Sequence, residues 1–304
     1  MNTDPVRDSG ERRLLAWCVW LSILLISDLP DISCSSVLGE VPPWLLGAKV
    51  GFLVVFLGLC LLWESIRPLR PYAFVMLVFF AALAVSEGVR TSDWWKNLIS
   101  ETEPSFALGY LRPLIRDIGV ALAVILALWI AKRRRSEFFL VKGQLNAPIE
   151  PVRWLGIRQG ESWRRFGWIF SVIAAVVVAF PTLLVLQPSP DVLLRAAASL
   201  PAVLLFAAVN AFNEEIYFRA SLLATLPQLI GKNATLLVNA AFFGLAHYLY
   251  GSPPGAVGML MTAFLAWLLG KSMLETKGLF WPWFMHFLPD VVIFYSYAIG
   301  WVRQ

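Results

Sequence analysis

Charge is scarce in this chain. Asp, Glu, Lys and Arg make up only 15% of its 304 residues, against 59% hydrophobic. Soluble globular domains carry about 25% charged residues, so a composition this poor in charge, with a mean hydropathy of +0.69, argues against one. The formal net charge of +5 is small and sits mostly in short loops, which fits orientation in a membrane and not nucleic-acid binding. Cysteine is equally sparse. Cys18, Cys34 and Cys60 have no metal-ligand or redox spacing and read as apolar packing residues. The signatures of several membrane proteases are missing: there is no HExxH, no GxGD and no serine in a GxSG setting. No internal repeat or low-complexity tract stands out. No A-x-A-like site follows the first apolar run, Leu14 to Ile26, so a first membrane helix is expected there and not a cleaved signal peptide.

What the chain does have is apolar runs of the length that crosses a bilayer, about 18 residues or more. They fall near 14–29, 44–63, 71–89, 113–131, 166–186, 193–226, 234–250, 256–274 and 280–299. The expected fold class is therefore all-α, a polytopic transmembrane helical bundle of about eight to nine membrane helices. The tract from Thr91 to Arg112, with Trp94, Trp95 and mixed charge, is expected to lie along the interface. Three parts are expected: residues 1–135, N-terminal helices of unassigned role; 136–165, a cytoplasmic or interfacial connector opened by the KRRR run; and 166–304, the functional part. Arg7, Arg12 and Arg13 precede the first helix, Arg67 and Arg70 follow the second, and the KRRR run follows the fourth. Lys232 follows the sixth, and Lys271 and Lys277 follow the eighth. This alternation predicts an N-terminus in the cytoplasm and a C-terminus outside; the membrane is expected to be a bacterial cytoplasmic one.

Three polar islands interrupt the apolar C-terminal half. The first is EEIYFR, residues 214–219. Glu215 and Arg219 are four apart with the acid first, a spacing that lets them pair on a helix and makes either charge cheaper in a low dielectric. Glu214 points about 100° away from Glu215 and has no cation at helical spacing. Asn210, four residues earlier, shares its face. The second island holds His247, and the third, PWFMHFLPD, holds His286 and Asp290, again four apart on one face. These are the only 2 histidines of the chain. Pro289 is expected to disturb the backbone beside them and to open a carbonyl.

Depth brings the islands to one level. At 1.5 Å per residue, Glu214 and His247 each lie about 20 Å up their helices from a shared loop, and His286 and Asp290 about 12 and 18 Å up theirs. A carboxylate beside imidazoles, shielded from water, is hydrolytic equipment: it takes a proton from water and returns it, while a histidine orients the water or stabilises an oxyanion. The same atoms would also serve as a zinc first shell, with His247, His286 and Glu214 or Asp290 as ligands. A non-catalytic transporter or proton-conducting protein would use such buried ionisable groups as a relay. The residues alone leave these alternatives open.

EExxxR over Glu214 to Arg219, FxxxH over Phe243 to His247 and HxxxD over His286 to Asp290, in that order and about 30 to 40 residues apart, resemble the CPBP family. This is the CAAX-protease and bacteriocin-processing family, also called Abi, which includes the type II CAAX prenyl endopeptidases. The likeness covers about residues 166–300 and leaves the first four helices outside. It implies an intramembrane peptidase, of glutamic or metallo type, acting on a membrane-associated or lipidated protein or peptide. By position it implies Glu214 as the general base, His247 assisting, His286 and Asp290 as the oxyanion or water-holding pair, and Glu215 with Arg219 as a supporting ion pair. No cofactor is required on the glutamic reading; Zn2+ belongs to the metallo one. The partners implied are the lipid bilayer and the substrate, with no nucleic acid. Two positions depart from the pattern. Ala220 stands where glycine is frequent, and Asp290 stands where the prenyl-processing enzymes have asparagine. As an oxyanion donor, Asp290 would need to be protonated; as an aspartate it suits orienting a histidine or binding a metal.

Overall fold

Each of the nine apolar segments forms helix, because a backbone in lipid must satisfy its own hydrogen bonds. A computed structural model describes residues 9–98, 105–131, 134–251 and 253–303. Arg7 and the first two residues of the KRRR run, Lys132 and Arg133, lie outside the described residues, as do residues 99–104 of the tryptophan-bearing tract. The helices are α1 (Ser9–Ile26), α2 (Leu29–Leu38), α3 (Leu45–Leu62), α4 (Arg70–Thr91), α5 (Asp93–Leu98), α6 (Phe106–Ile130) and α7 (Trp163–Leu186). They continue with α8 (Pro190–Ala197), α9 (Leu200–Glu214), α10 (Ser221–Leu223), α11 (Pro227–Ile230), α12 (Lys232–Tyr250), α13 (Ala256–Thr276) and α14 (Phe280–Trp301). A π-helical turn, Glu215–Ala220, separates α9 from α10. No strand occurs among the described residues, and the fold is an all-α membrane bundle. By length and composition, 5 helices among the described residues suffice to cross a membrane, or up to 7 if each of two bent pairs is one span.

The two bent pairs share a cause. The sixth apolar segment, read as continuous in the sequence, is broken between α8 and α9 by 69°, and α1 and α2 are broken by 41°. Each break carries a polar residue, a leucine and a proline: Ser199-Leu200-Pro201 and Asp28-Leu29-Pro30. Proline starts a helix readily but cannot continue the preceding one, since it has no N–H.

The chain divides into two compact units, each assembled from distant stretches. One comprises Met1–Ala84, Val124–Phe138 and Phe218–Lys271. Within it α1 packs on α11 and α12. Lys49, buried on α3, makes ion pairs with Asp31 and, at 3.7 Å, with Asp28. Asn239 of α12 donates to the Ala266 carbonyl of α13 at 2.8 Å.

The other unit comprises Val85–Ala123, Phe139–Tyr217 and Ser272–Gln304. Here α14 packs against α7 and α9. Gly167 lets α7 approach closely: a Cβ there would lie 2.3 Å from the Trp281 ring. The indole of Trp283 donates to the Ala208 carbonyl of α9 at 2.9 Å. The connector is docked on the turn before α14. Gln144 N–H bonds the Thr276 carbonyl at 2.7 Å, Leu279 N–H bonds that of Val141 at 2.8 Å, and the Trp281 indole bonds that of Leu145 at 2.9 Å. Gly143 takes φ +80° where its backbone meets Gly278, and a Cβ on it would lie 2.7 Å from the Gly278 Cα. Helix α14 is thus fixed at its start, along α7 and along α9, which sets the position of His286 and Asp290.

Candidate active site

Helix α9 ends on Glu214, and the π turn begins at Glu215. Such a turn accommodates an extra residue in the helix and is frequent at functional sites. Glu215 is fully buried, and Glu214 keeps a side-chain exposure of 17%. From the facing helix His286 enters between them. Its Nδ1 lies 2.8 Å from Glu215 Oε1, and its Nε2 lies 3.5 Å from Glu214 Oε2 and 3.7 Å from Asp290 Oδ1. Asn210, one turn before Glu214, donates from Nδ2 to Glu214 Oε1 at 3.3 Å and to Asp290 Oδ2 at 3.0 Å. Helix α14 runs unbroken through Pro289, whose missing N–H leaves the Met285 carbonyl without its usual helical donor.

The sequence placed Glu214, His286 and Asp290 together, and within one unit they are together. Glu215 joins them as the partner of His286 Nδ1, a contact that helical spacing did not suggest. Asn210 bridges two of the acids, where the sequence suggested only a shared face with Glu214. His247 and Arg219 are carried by the other unit. There His247 Nδ1 lies 2.9 Å from the Phe243 carbonyl of its own helix. A carbonyl only accepts, so Nδ1 bears the proton in this contact. Arg219, fully buried, sets its guanidinium 4.3 Å from the centre of the Phe243 ring.

Three carboxylates surround one imidazole: Nδ1 faces Glu215, and Nε2 faces Glu214 and Asp290, in a place largely closed to solvent. Glu214 Oε2 is buried and has no hydrogen-bond partner among the described residues, although Oε1 of the same group is held by Asn210. Such a carboxylate, with one oxygen anchored and one open, can accept and return a proton. Among the described residues no group of three or more His, Cys, Asp or Glu side chains is arranged to hold a metal ion.

Apolar helices thus surround a buried acid–imidazole cluster in a membrane protein. Residues 196–292 match the family model described as Type II CAAX prenyl endopeptidase Rce1-like. That segment contains all three motifs. The likeness supports endopeptidase activity in general terms. No curated protein and no solved structure matches the chain.

Proposed function

We propose that this protein is a metal-independent glutamic endopeptidase that cleaves a membrane-associated or lipidated polypeptide inside the bilayer. The observation that carries the reading is the setting of Glu214: Oε1 is held by Asn210, while Oε2 is buried without a hydrogen-bond partner among the described residues, with His286 Nε2 3.5 Å away. Glu214 takes a proton from that water as its oxygen attacks the scissile carbonyl. The C–O bond forms, the carbonyl π pair moves to oxygen, and His286 Nε2–H, 3.5 Å from Glu214 Oε2, stabilises the oxyanion. Collapse of the tetrahedral intermediate breaks the C–N bond, and Glu214 returns its proton to the leaving amine. Glu215 holds the His286 ring in place. Asp290, restrained by Asn210, orients the imidazole and supports its charge, a role open to a carboxylate where an oxyanion donor is not needed. His247 assists through its Nε2, and Glu215 with Arg219 forms the supporting ion pair. The N-terminus lies in the cytoplasm.

The test is Glu214→Gln in proteoliposomes supplied with a membrane-anchored fluorogenic peptide library. Cleavage should fall by about 10³-fold or more, as the loss of an essential proton carrier demands, with insertion and thermal stability unchanged. Activity should survive chelation, with less than one equivalent of zinc bound per chain. A wild-type protein that cuts no peptide but dissipates a pH gradient, and loses that flux in Glu214→Gln, would establish the proton-conducting alternative instead.

A further inference from the structure

Helix α6 lies outside the residues matched by the family model, yet it forms a wall of a cleft of about 150 Å³ shared with α9 and α14. Four aromatic side chains line it: Tyr110 of α6, Phe206 of α9, and Phe294 and Tyr297 of α14. Tyr110 and Tyr297 stack at 5.6 Å, and Phe294 meets them edge-on at 5.9 and 5.8 Å. Asp117 and Asn213 add the polar lining. Asn213 is fully buried, and neither its Oδ1 nor its Nδ2 has a hydrogen-bond partner among the described residues. Asn210 lines the same cleft and bonds Glu214 and Asp290, so the cleft lies one side chain away from the proposed general base.

Size and chemistry select the guest. A cavity of about 150 Å³ accepts a group the size of benzene, hence one side chain and not a lipid tail. An apolar guest would leave the buried Asn213 amide without a hydrogen-bond partner, which is costly, and would enclose Asp117 with only the neighbouring Arg116 charge to offset it. An anion would be repelled by Asp117. A cation meets aromatic rings, the Asp117 carboxylate and the Asn213 Oδ1 acceptor together. The Asn213 Nδ2 remains to donate to a neighbouring peptide carbonyl.

We propose that this cleft is a specificity subsite that takes a lysine- or arginine-type side chain of the substrate beside the scissile bond. The proposal rests on the peptidase reading and adds a role for α6 to it.

Two measurements on the full chain separate the claims. In the first, a membrane-anchored peptide series carries Lys, Arg, or uncharged norleucine at each position flanking the cut. Wild type should favour the cationic residue at one position by tenfold or more in kcat/KM, and Asp117→Asn should bring that ratio close to one. In the second, thermal unfolding in detergent is followed with n-butylammonium or n-butanol. The ammonium alone should raise the Tm of wild type, and Asp117→Asn and Tyr297→Leu should lose the shift. Cleavage with no cationic preference, or a preference for norleucine, overturns the subsite while leaving the peptidase standing. Failure of n-butylammonium to protect wild type overturns it as well. Absence of any cleavage, with n-butylammonium protection intact, overturns the peptidase reading and with it the subsite's role, leaving a cation site alone.

Discussion

His286 donates from Nδ1 to Glu215 Oε1 across 2.8 Å, with the carboxylate fully buried. The bond ties α14 to the first residue of the π turn and aims the opposite ring nitrogen at Glu214 and Asp290. Glu215→Gln keeps an acceptor oxygen but loses the charge. The peptidase rate should fall by about 10²- to 10⁴-fold, the range for a disturbed proton-transfer group, while the helix content stays the same by circular dichroism. A variant with undiminished turnover would remove Glu215 from the site.

Arg219 is buried at the end of the same motif, against the Phe243 ring. Arg219→Ala would strand the acid proposed as its partner and should cost about 3–5 kcal/mol of stability. Arg219→Lys should recover part of it. Thermal denaturation in detergent reads the difference, and an unchanged midpoint for the alanine variant would refute the pairing.

Asn210 reaches two acids with one amide. In Asn210→Leu both carboxylates lose a donor, at about 1–3 kcal/mol for a buried acceptor, which should appear as roughly a 10- to 100-fold lower kcat with little change in KM. A change confined to KM would mean that Asn210 binds substrate and does not hold the acids.

Gly167 is a packing point with no chemistry of its own. Gly167→Val places carbon where the Trp281 ring stands, 2.3 Å from a Cβ, and should destabilise α7 against α14. The expected loss is about 1–3 kcal/mol, seen as a lower Tm, with activity falling in parallel. A variant as stable as wild type would show that α14 is held mainly by the connector and α9.

The apolar runs were readable because lipid leaves the backbone no alternative to helix, and all nine proved helical. The break between α8 and α9 was written at Ser199-Leu200-Pro201, but continuous hydrophobicity on both sides masks it. Glu214, His286 and Asp290 were legible because ionisable side chains are conspicuous in an apolar span. The role of Glu215 was not: four-residue spacing points to Arg219, and nothing local announces an imidazole arriving from residue 286. Asp117 also lies in an apolar run, beside Arg116, but it was not legible as a site residue, because no partner island sits at helical spacing from it; the fold shows it lining a cleft with Asn213. The 69° bend and the π turn depend on backbone geometry that composition does not encode.

The π turn at Glu215–Ala220 makes the site sensitive to residue number as well as identity. Deleting one position there would remove the extra residue that the turn absorbs, and an ordinary α-helix could then span the stretch with its two flanks close to register. A homologue one residue shorter across this stretch would therefore lack the bulge, and its two adjacent acids would meet the facing imidazole from plain helical geometry.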